Sequence, residues 1–195
     1  MDSLVNALVH YCIHSQIIPA EKEAWFRYGL EKRIYTVCIF IPCALFAAYI
    51  SSFYVAVSFF ISFQILRTRV NGYHANSLCG CLCGSLVLEC LFLCGIYPII
   101  DITGIFLLII SSFFLIWTLA PYNHPEMQLT SEEYNACRKS AHVRICLLTA
   151  LTLLLLLLGY VNSAKGVSLG CAMTSLLLFI AYISDRRINN EKKPE

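Results

Sequence analysis

An all-α polytopic membrane protein, with about six transmembrane helices arranged as three hairpins, is predicted by three observations on this sequence. Of its 195 residues, 58% are hydrophobic and only 13% are charged, with a mean hydropathy of +0.70. Soluble domains carry roughly a quarter charged residues. Three apolar tracts, at about 34–66, 77–119 and 145–184, each exceed the roughly 20 residues that one helix needs to cross a hydrocarbon core of about 30 Å. Each tract therefore reads as two helices. The cations supply the third observation, because loops on the cytoplasmic side are enriched in Lys and Arg. Placing both termini in the cytoplasm puts Lys22, Arg27, Lys32, Arg33, Arg67, Arg69, Arg138, Lys139, Arg144, Arg186, Arg187, Lys192 and Lys193 on one side and leaves only Lys165 outside. An even number of spans in a plasma membrane follows, in a single domain over residues 1–195.

Residues 1–33 read as cytoplasmic and interfacial rather than spanning. No cleavable leader is expected, since Asp2 replaces a basic start and Asn6, His10 and His14 interrupt any apolar core. Leu4, Val5, Leu8 and Cys12 form one helical stripe with Ser3, Asn6 and His10 opposite, the pattern of an interfacial amphipathic helix. Pro19, followed by Glu21 and Glu23, marks a second helix start, with the acids complementing the helix dipole. Trp25, Phe26 and Tyr28 belong at headgroup level. These two helices either anchor the chain to the inner leaflet or line a substrate groove.

The transmembrane region, 34–184, is expected to turn at Ser51-Ser52, between Gly95 and Pro98, and between Asn162 and Gly166, where small, polar or helix-breaking residues interrupt the tracts. Between the second and third spans lies a short basic loop; between the fourth and fifth lies a longer polar one, in which His124 and His142 are expected to be solvated. Asp101 is expected near the outer interface. Residues 185–195 form a cytoplasmic tail.

Eleven cysteines could suggest a disulfide scaffold, but nearly all fall inside apolar tracts, where cysteine packs as a small hydrophobe. Cytoplasm-facing thiols stay reduced. Cys79-x-Cys81-x-Cys83 does not read as a metal site, because helical residues two apart point in nearly opposite directions and cannot chelate one ion. No cofactor or nucleic-acid partner is expected. On a helix starting near Ser77, Cys79, Cys83, Cys90 and Cys94 make one small-residue stripe, and Gly80 with Gly84 makes a Gly-x-x-x-Gly pair of the kind found at close helix contacts.

The chemistry is placed where the basic loop enters the third span, in Arg67-Thr-Arg-Val-Asn-Gly72-Tyr-His74-Ala-Asn-Ser-Leu-Cys-Gly-Cys81. A thiolate and an imidazole suffice for nucleophilic acyl transfer. Cys81 lies near a helix N-terminus, and Arg67, Arg69 and His74 add positive potential; both favour the thiolate. Residues seven apart in one straight helix are separated by about 10 Å along the axis. His74 must therefore reach Cys81 from a loop that folds back, for which Gly72 gives the freedom. Among Cys79, Cys81 and Cys83, helix geometry alone only mildly prefers Cys81.

Gly72-x-His74-x6-Cys81, preceded by Arg67 at the cytoplasmic start of a span, resembles the accessory gene regulator B (AgrB) family. The likeness extends to Ala120-Pro121-Tyr-Asn-His-Pro125 and the polar stretch ending Arg138-Lys139-Ser140, and in architecture to the whole chain. The extra cysteines at 79 and 83 depart from it, so the choice of Cys81 rests on the family spacing. The resemblance implies a bacterial membrane cysteine endopeptidase that matures an AgrD-type quorum-sensing propeptide, with His74 as general base and Cys81 as nucleophile. It implies cleavage on the C-terminal side of the precursor through an acyl-thioester, on which a cysteine of the peptide closes a thiolactone ring. The family is also associated with homodimers.

Supporting roles fall to four residues. Gln64 either donates to an oxyanion or bonds a neighbouring helix or headgroup. Glu89, a charge deep in the third span, lines the peptide's path or bonds across helices. Arg67 either orients an acidic precursor or anchors the loop inside, and Gly72 supplies the turn. Two other classes fit the composition: a transporter, which predicts inverted repeats that this sequence lacks, and a non-enzymatic scaffold, for which Cys81 matters no more than its neighbours.

Overall fold

The computed structural model describes residues 2–15, 17–18, 23–70, 78–122 and 130–191; for some helical residues, Cys79 and Cys81 among them, it describes the backbone alone. Pro19, Glu21, Lys22, Gly72, His74, His124, Pro125, Lys192 and Lys193 lie outside the described residues. Every described element is helical, and four helices are long and apolar enough to cross a membrane. The chain forms two compact units, Met1–Cys43 and Ala44–Glu195.

The first unit holds α1, Asp2–His14, and most of α2, Glu23–Ile50. Val5 and Val9 are the buried residues of α1, whereas Leu8 is exposed and Cys12 half-buried. Of the expected stripe of Leu4, Val5, Leu8 and Cys12, Val5 is buried, and the described inward face turns from Leu8 toward Val9. Arg27 donates to Asn6 at 2.5 Å and pairs with Glu23 at 3.4 Å, which ties α1 to the start of α2. The expected second interfacial helix and first span are one continuous helix. Glu23 in its first turn suits the dipole, and no proline occurs in the helix before Pro42. Pro42 lacks an N–H and crowds the carbonyl of the preceding turn, and the first unit ends one residue beyond it.

In the second unit, α2 ends at Ser51, whose hydroxyl donates back to the Ala47 carbonyl at 2.7 Å. Ser52 then caps α3, Phe53–Val70, by accepting from the Val55 amide at 3.4 Å. The Ser51-Ser52 turn is where the sequence placed it. Next comes α4, Leu78–Cys90, which continues as a π-helical segment, Leu91–Ile96. The break at residues 97–100 matches the expected Gly95–Pro98 turn, and Asp101 ends it by capping α5, Ile102–Leu119, with a 2.7 Å bond from the Gly104 amide. Of the expected cysteine stripe, Cys83 and Cys94 are exposed and Cys90 half-buried, while Phe92 and Leu93 of the π segment turn inward.

The polar segment before the fifth span is largely helix. A capping box, in which Thr130 accepts from the Glu133 amide and the Glu133 carboxylate accepts from the Thr130 amide, starts α6, Ser131–Leu157, well ahead of the apolar tract. The last turn differs from expectation. It falls at Leu158–Tyr160 rather than Asn162–Gly166, because Gly159 takes a left-handed conformation (φ 80°). There the Tyr160 amide bonds the Leu155 carbonyl at 2.8 Å and the Gly159 amide the Leu156 carbonyl at 3.1 Å, a Schellman ending. Asn162 and Gly166 belong to α7, Val161–Glu191.

Helices α3, α5, α6 and α7 make the bundle, and α7 is its centre: 67% of its apolar window is buried, against 22% for α5 and for α6. The closest contact is between α3 and α7. A Cβ on Gly166 would lie 2.6 Å from the Val55 carbonyl oxygen, and one on Gly170 2.5 Å from that of Phe59. Among the described residues, Gly166/Gly170 is a Gly-x-x-x-Gly pair in close helix contact. Gly84, half of the pair that the sequence suggested, meets nothing within 4 Å, and the surroundings of Gly80 lie outside the description. Leu66, Val70, Ile116, Ala120, Ala141, Ile145 and Leu178 pack one end of the bundle. Ile100, Ile105 and Ala164 pack the other, where the Lys165 ammonium lies 5.3 Å from the centre of the Tyr97 ring.

Candidate functional site

One end of the bundle is formed by the C-termini of α3 and α5 and the first half of α6. Three polar contacts fix the exit of α3. The Tyr122 amide donates to the Val70 carbonyl at 3.0 Å, joining the last residue of α3 to the segment just after α5; the cations Arg67 and Arg69, expected in a loop, belong to the last turn of that helix. The Arg144 guanidinium, reaching from α6, donates to the Ile65 carbonyl at 2.5 Å and to the Thr68 hydroxyl at 2.7 Å. Thr68 in turn donates to the Ile65 carbonyl at 3.1 Å. A helix C-terminus presents unsatisfied carbonyls and the negative end of the dipole, so a cation and an amide there are favourable partners.

The end of α5 is also held by α6. The ring of His142 stacks on Trp117 with centroids 4.0 Å apart, and its Nε2 lies 3.1 Å from the Trp117 carbonyl. Phe113 extends the stack at 5.3 Å. His142 is therefore a half-buried packing residue on a helix and not the solvated loop residue expected. Helix α6 carries His142 and Arg144 two positions apart, so that they diverge toward α5 and α3 respectively.

The candidate residues among those described occupy definite helical positions. Cys81 is the fourth residue of α4, in its first turn. Arg67 is half-buried in the last turn of α3, and Gln64 is half-buried about one turn earlier. Glu89 lies eight residues beyond Cys81 on α4, about 12 Å along the axis, and is 1% exposed. It adjoins the π-helical segment; such segments are frequent near functional sites. Cys83 is exposed, and Cys43 and Cys171 are buried packing residues. No group of three or more His, Cys, Asp or Glu side chains able to hold a metal ion occurs among the described residues. Gly72 and His74 lie outside the described residues, as does the side chain of Cys81.

Arg144, Thr68, Trp117, His142 and the Tyr122 amide were not singled out as a cluster by the sequence. Arg144 reads there as one more inside cation, and a backbone donor carries no sequence signal. The only cue was that Ala120-Pro121-Tyr122 belongs to the second segment of the family likeness.

No curated protein and no solved structure matches this chain. The family description "Accessory gene regulator B" matches residues 2–183, a stretch that takes in the His74–Cys81 junction and the bundle as far as residue 183 of α7. The chain belongs to the accessory gene regulator B family, which is membrane-associated and processes the AgrD propeptide.

Proposed function

We propose that this protein is an integral-membrane cysteine endopeptidase that cleaves an AgrD-like precursor through an acyl-thioester on Cys81, with His74 as general base. The observation that carries this reading is the position of Cys81 in the first turn of α4, inside a family match that spans the whole His74–Cys81 junction. A helix N-terminus favours an anion, and a thiolate is the reactive form of cysteine.

His74 takes the thiol proton as the sulfur attacks the scissile carbonyl. The C–N bond then breaks, the imidazolium returns its proton to the leaving amine, and the N-terminal part of the precursor stays on Cys81 as a thioester. A thiol of that peptide attacks the same carbonyl, the enzyme sulfur leaves, and a thiolactone ring closes. One thioester replaces another, so this step is nearly balanced. Excluding water protects the intermediate from hydrolysis, which suits a site at a membrane surface. Gly72 gives the loop its turn and Gln64 stands as an oxyanion donor. Arg67 orients the precursor, and Glu89 lines its path. Six spans with both termini and the site cytoplasmic, one domain and a homodimer complete the reading; the cation distribution supports the topology.

The test is co-expression with a candidate AgrD-type precursor and mass spectrometry of the products. Wild type is expected to release the C-terminal fragment and the ring, and Cys81→Ala and His74→Ala to release neither. Equal processing by wild type and Cys81→Ala would refute the assignment. Retained processing in Cys79→Ala and Cys83→Ala separates the nucleophile from its neighbours.

A further inference from the structure

We infer that Arg144 is a positioning residue for the peptidase site, acting by holding the C-terminal turn of α3 from which the His74 segment departs. The inference rests on the peptidase reading above and adds to it a residue some 60 positions away in sequence. Arg144 lies on α6, yet its guanidinium donates to two groups of α3, the Ile65 carbonyl and the Thr68 hydroxyl, at 2.5 and 2.7 Å. Thr68 closes the triangle by donating to the same carbonyl. Two residues further along α3, Val70 receives the Tyr122 amide.

The final turn of α3 is thus gripped from α6 and from the segment after α5. The chain then runs through only seven residues before α4 begins at Leu78, and those seven include Gly72 and His74. A general base works within hydrogen-bond reach of its proton. The direction in which α3 ends therefore bears on where the imidazole can stand relative to Cys81. The guanidinium is suited to the task because both bonds come from one terminal nitrogen, Nη1, whose two hydrogens are fixed in the guanidinium plane. Lysine offers a charged nitrogen on a shorter, flexible stem and holds the same acceptors less rigidly. Where Arg144 bonds is also where a cation is favoured, beside the negative end of the α3 dipole.

The measurement is processing of the AgrD-type precursor by purified full-length protein, with kcat and KM separated and normalised to folded protein. A misplacement of about 1 Å can lower a rate by about 10²-fold. Arg144→Ala is expected to lower kcat by that order with KM little changed. Arg144→Lys is expected to recover part of the loss. Thr68→Val, which keeps the packing shape and removes the hydroxyl, is expected to lower kcat in the same direction and to be non-additive with Arg144→Ala.

Should Arg144→Ala fail to fold, Arg144→Lys and Thr68→Val carry the test alone. An independent readout is the pH profile of Cys81 alkylation in a Cys79→Ala/Cys83→Ala background. Arg144→Lys is expected to shift it, whereas a merely structural role leaves it in place. Wild-type kcat per folded molecule in all three variants overturns the inference while leaving the peptidase reading intact. Equal processing by wild type and Cys81→Ala overturns both.

Discussion

Replacing Gly170 by alanine tests the contact on which the bundle depends most. The added Cβ would lie 2.5 Å from the Phe59 carbonyl oxygen and against the Ser62 hydroxyl; an ordinary contact begins at 3.4 Å. Ser62 can swing aside, but the carbonyl belongs to the backbone of α3, so the two helices must separate by about 0.9 Å to restore the 3.4 Å contact. Overpacking of this kind typically costs about 1–3 kcal/mol, against which alanine gains up to about 1 kcal/mol of helix propensity. A net loss of about 1–2 kcal/mol is expected, and Gly166→Ala, facing the Val55 carbonyl at 2.6 Å, should act in the same direction. The assay is reversible unfolding in mixed micelles. Gly84→Ala is the control: nothing lies within 4 Å of its added carbon, so it should be neutral or slightly stabilising. A Gly170→Ala protein as stable as Gly84→Ala would refute the close α3–α7 approach.

Two further substitutions probe how the helices begin and end. Thr130→Ala removes the hydroxyl that accepts from the Glu133 amide and should lower stability by about 1 kcal/mol; faster amide hydrogen exchange confined to the first turn of α6 is the accompanying signature, and Thr130→Ser should abolish the effect. Gly159→Ala forces a side chain into the left-handed region, where φ is 80°, and should cost about 1–2 kcal/mol in the same unfolding assay.

Hydropathy revealed where helices lie but not which faces they bury, and the reason is the solvent. In a bilayer the leucines of α6, such as Leu147, Leu151, Leu154 and Leu157, can face outward without penalty, and they are exposed here. The interior helix instead carries small and hydroxylated residues: Ser168, Gly170, Cys171, Ala172, Thr174 and Ser175 are all buried. The hydroxyls of Thr174 and Ser175 are satisfied within their own helix, by the Gly170 and Ala172 carbonyls. A Gly-x-x-x-Gly pattern was therefore the right kind of signal, but it occurs twice and sequence could not rank Gly80/Gly84 against Gly166/Gly170. The misplaced last turn has a related cause. Asn162 and Gly166 look like breakers by residue type, whereas a single glycine after an unbroken leucine run is a stronger helix stop. At the site, the placement of Cys81 near a helix N-terminus follows local sequence rules and was legible. The Arg144 and Tyr122 contacts join residues more than 50 positions apart, and nothing local encodes them.

These two kinds of contact meet on α3. The helix is seated against α7 through Val55, Phe59 and Ser62 in its first half, and its last turn is held by Arg144 and Tyr122. From Phe59 to Val70 is about 16 Å of helix, stiff enough to move as one body on this scale. A separation imposed at Gly170 should therefore displace the far end by a similar fraction of an ångström and loosen the bonds of Arg144. The physical consequence is coupling in two observables. In stability, Gly170→Ala and Arg144→Ala share the shift of α3, so the double variant should lose less than the sum of the two single losses. In processing rate they act through the same α3 exit, so once Arg144 is removed, Gly170→Ala should lower kcat by much less than it does in wild type. Additive effects on the rate would mean that the exit of α3 is set by something other than these two contacts, and that helix packing and the grip of Arg144 reach the proposed site by separate routes.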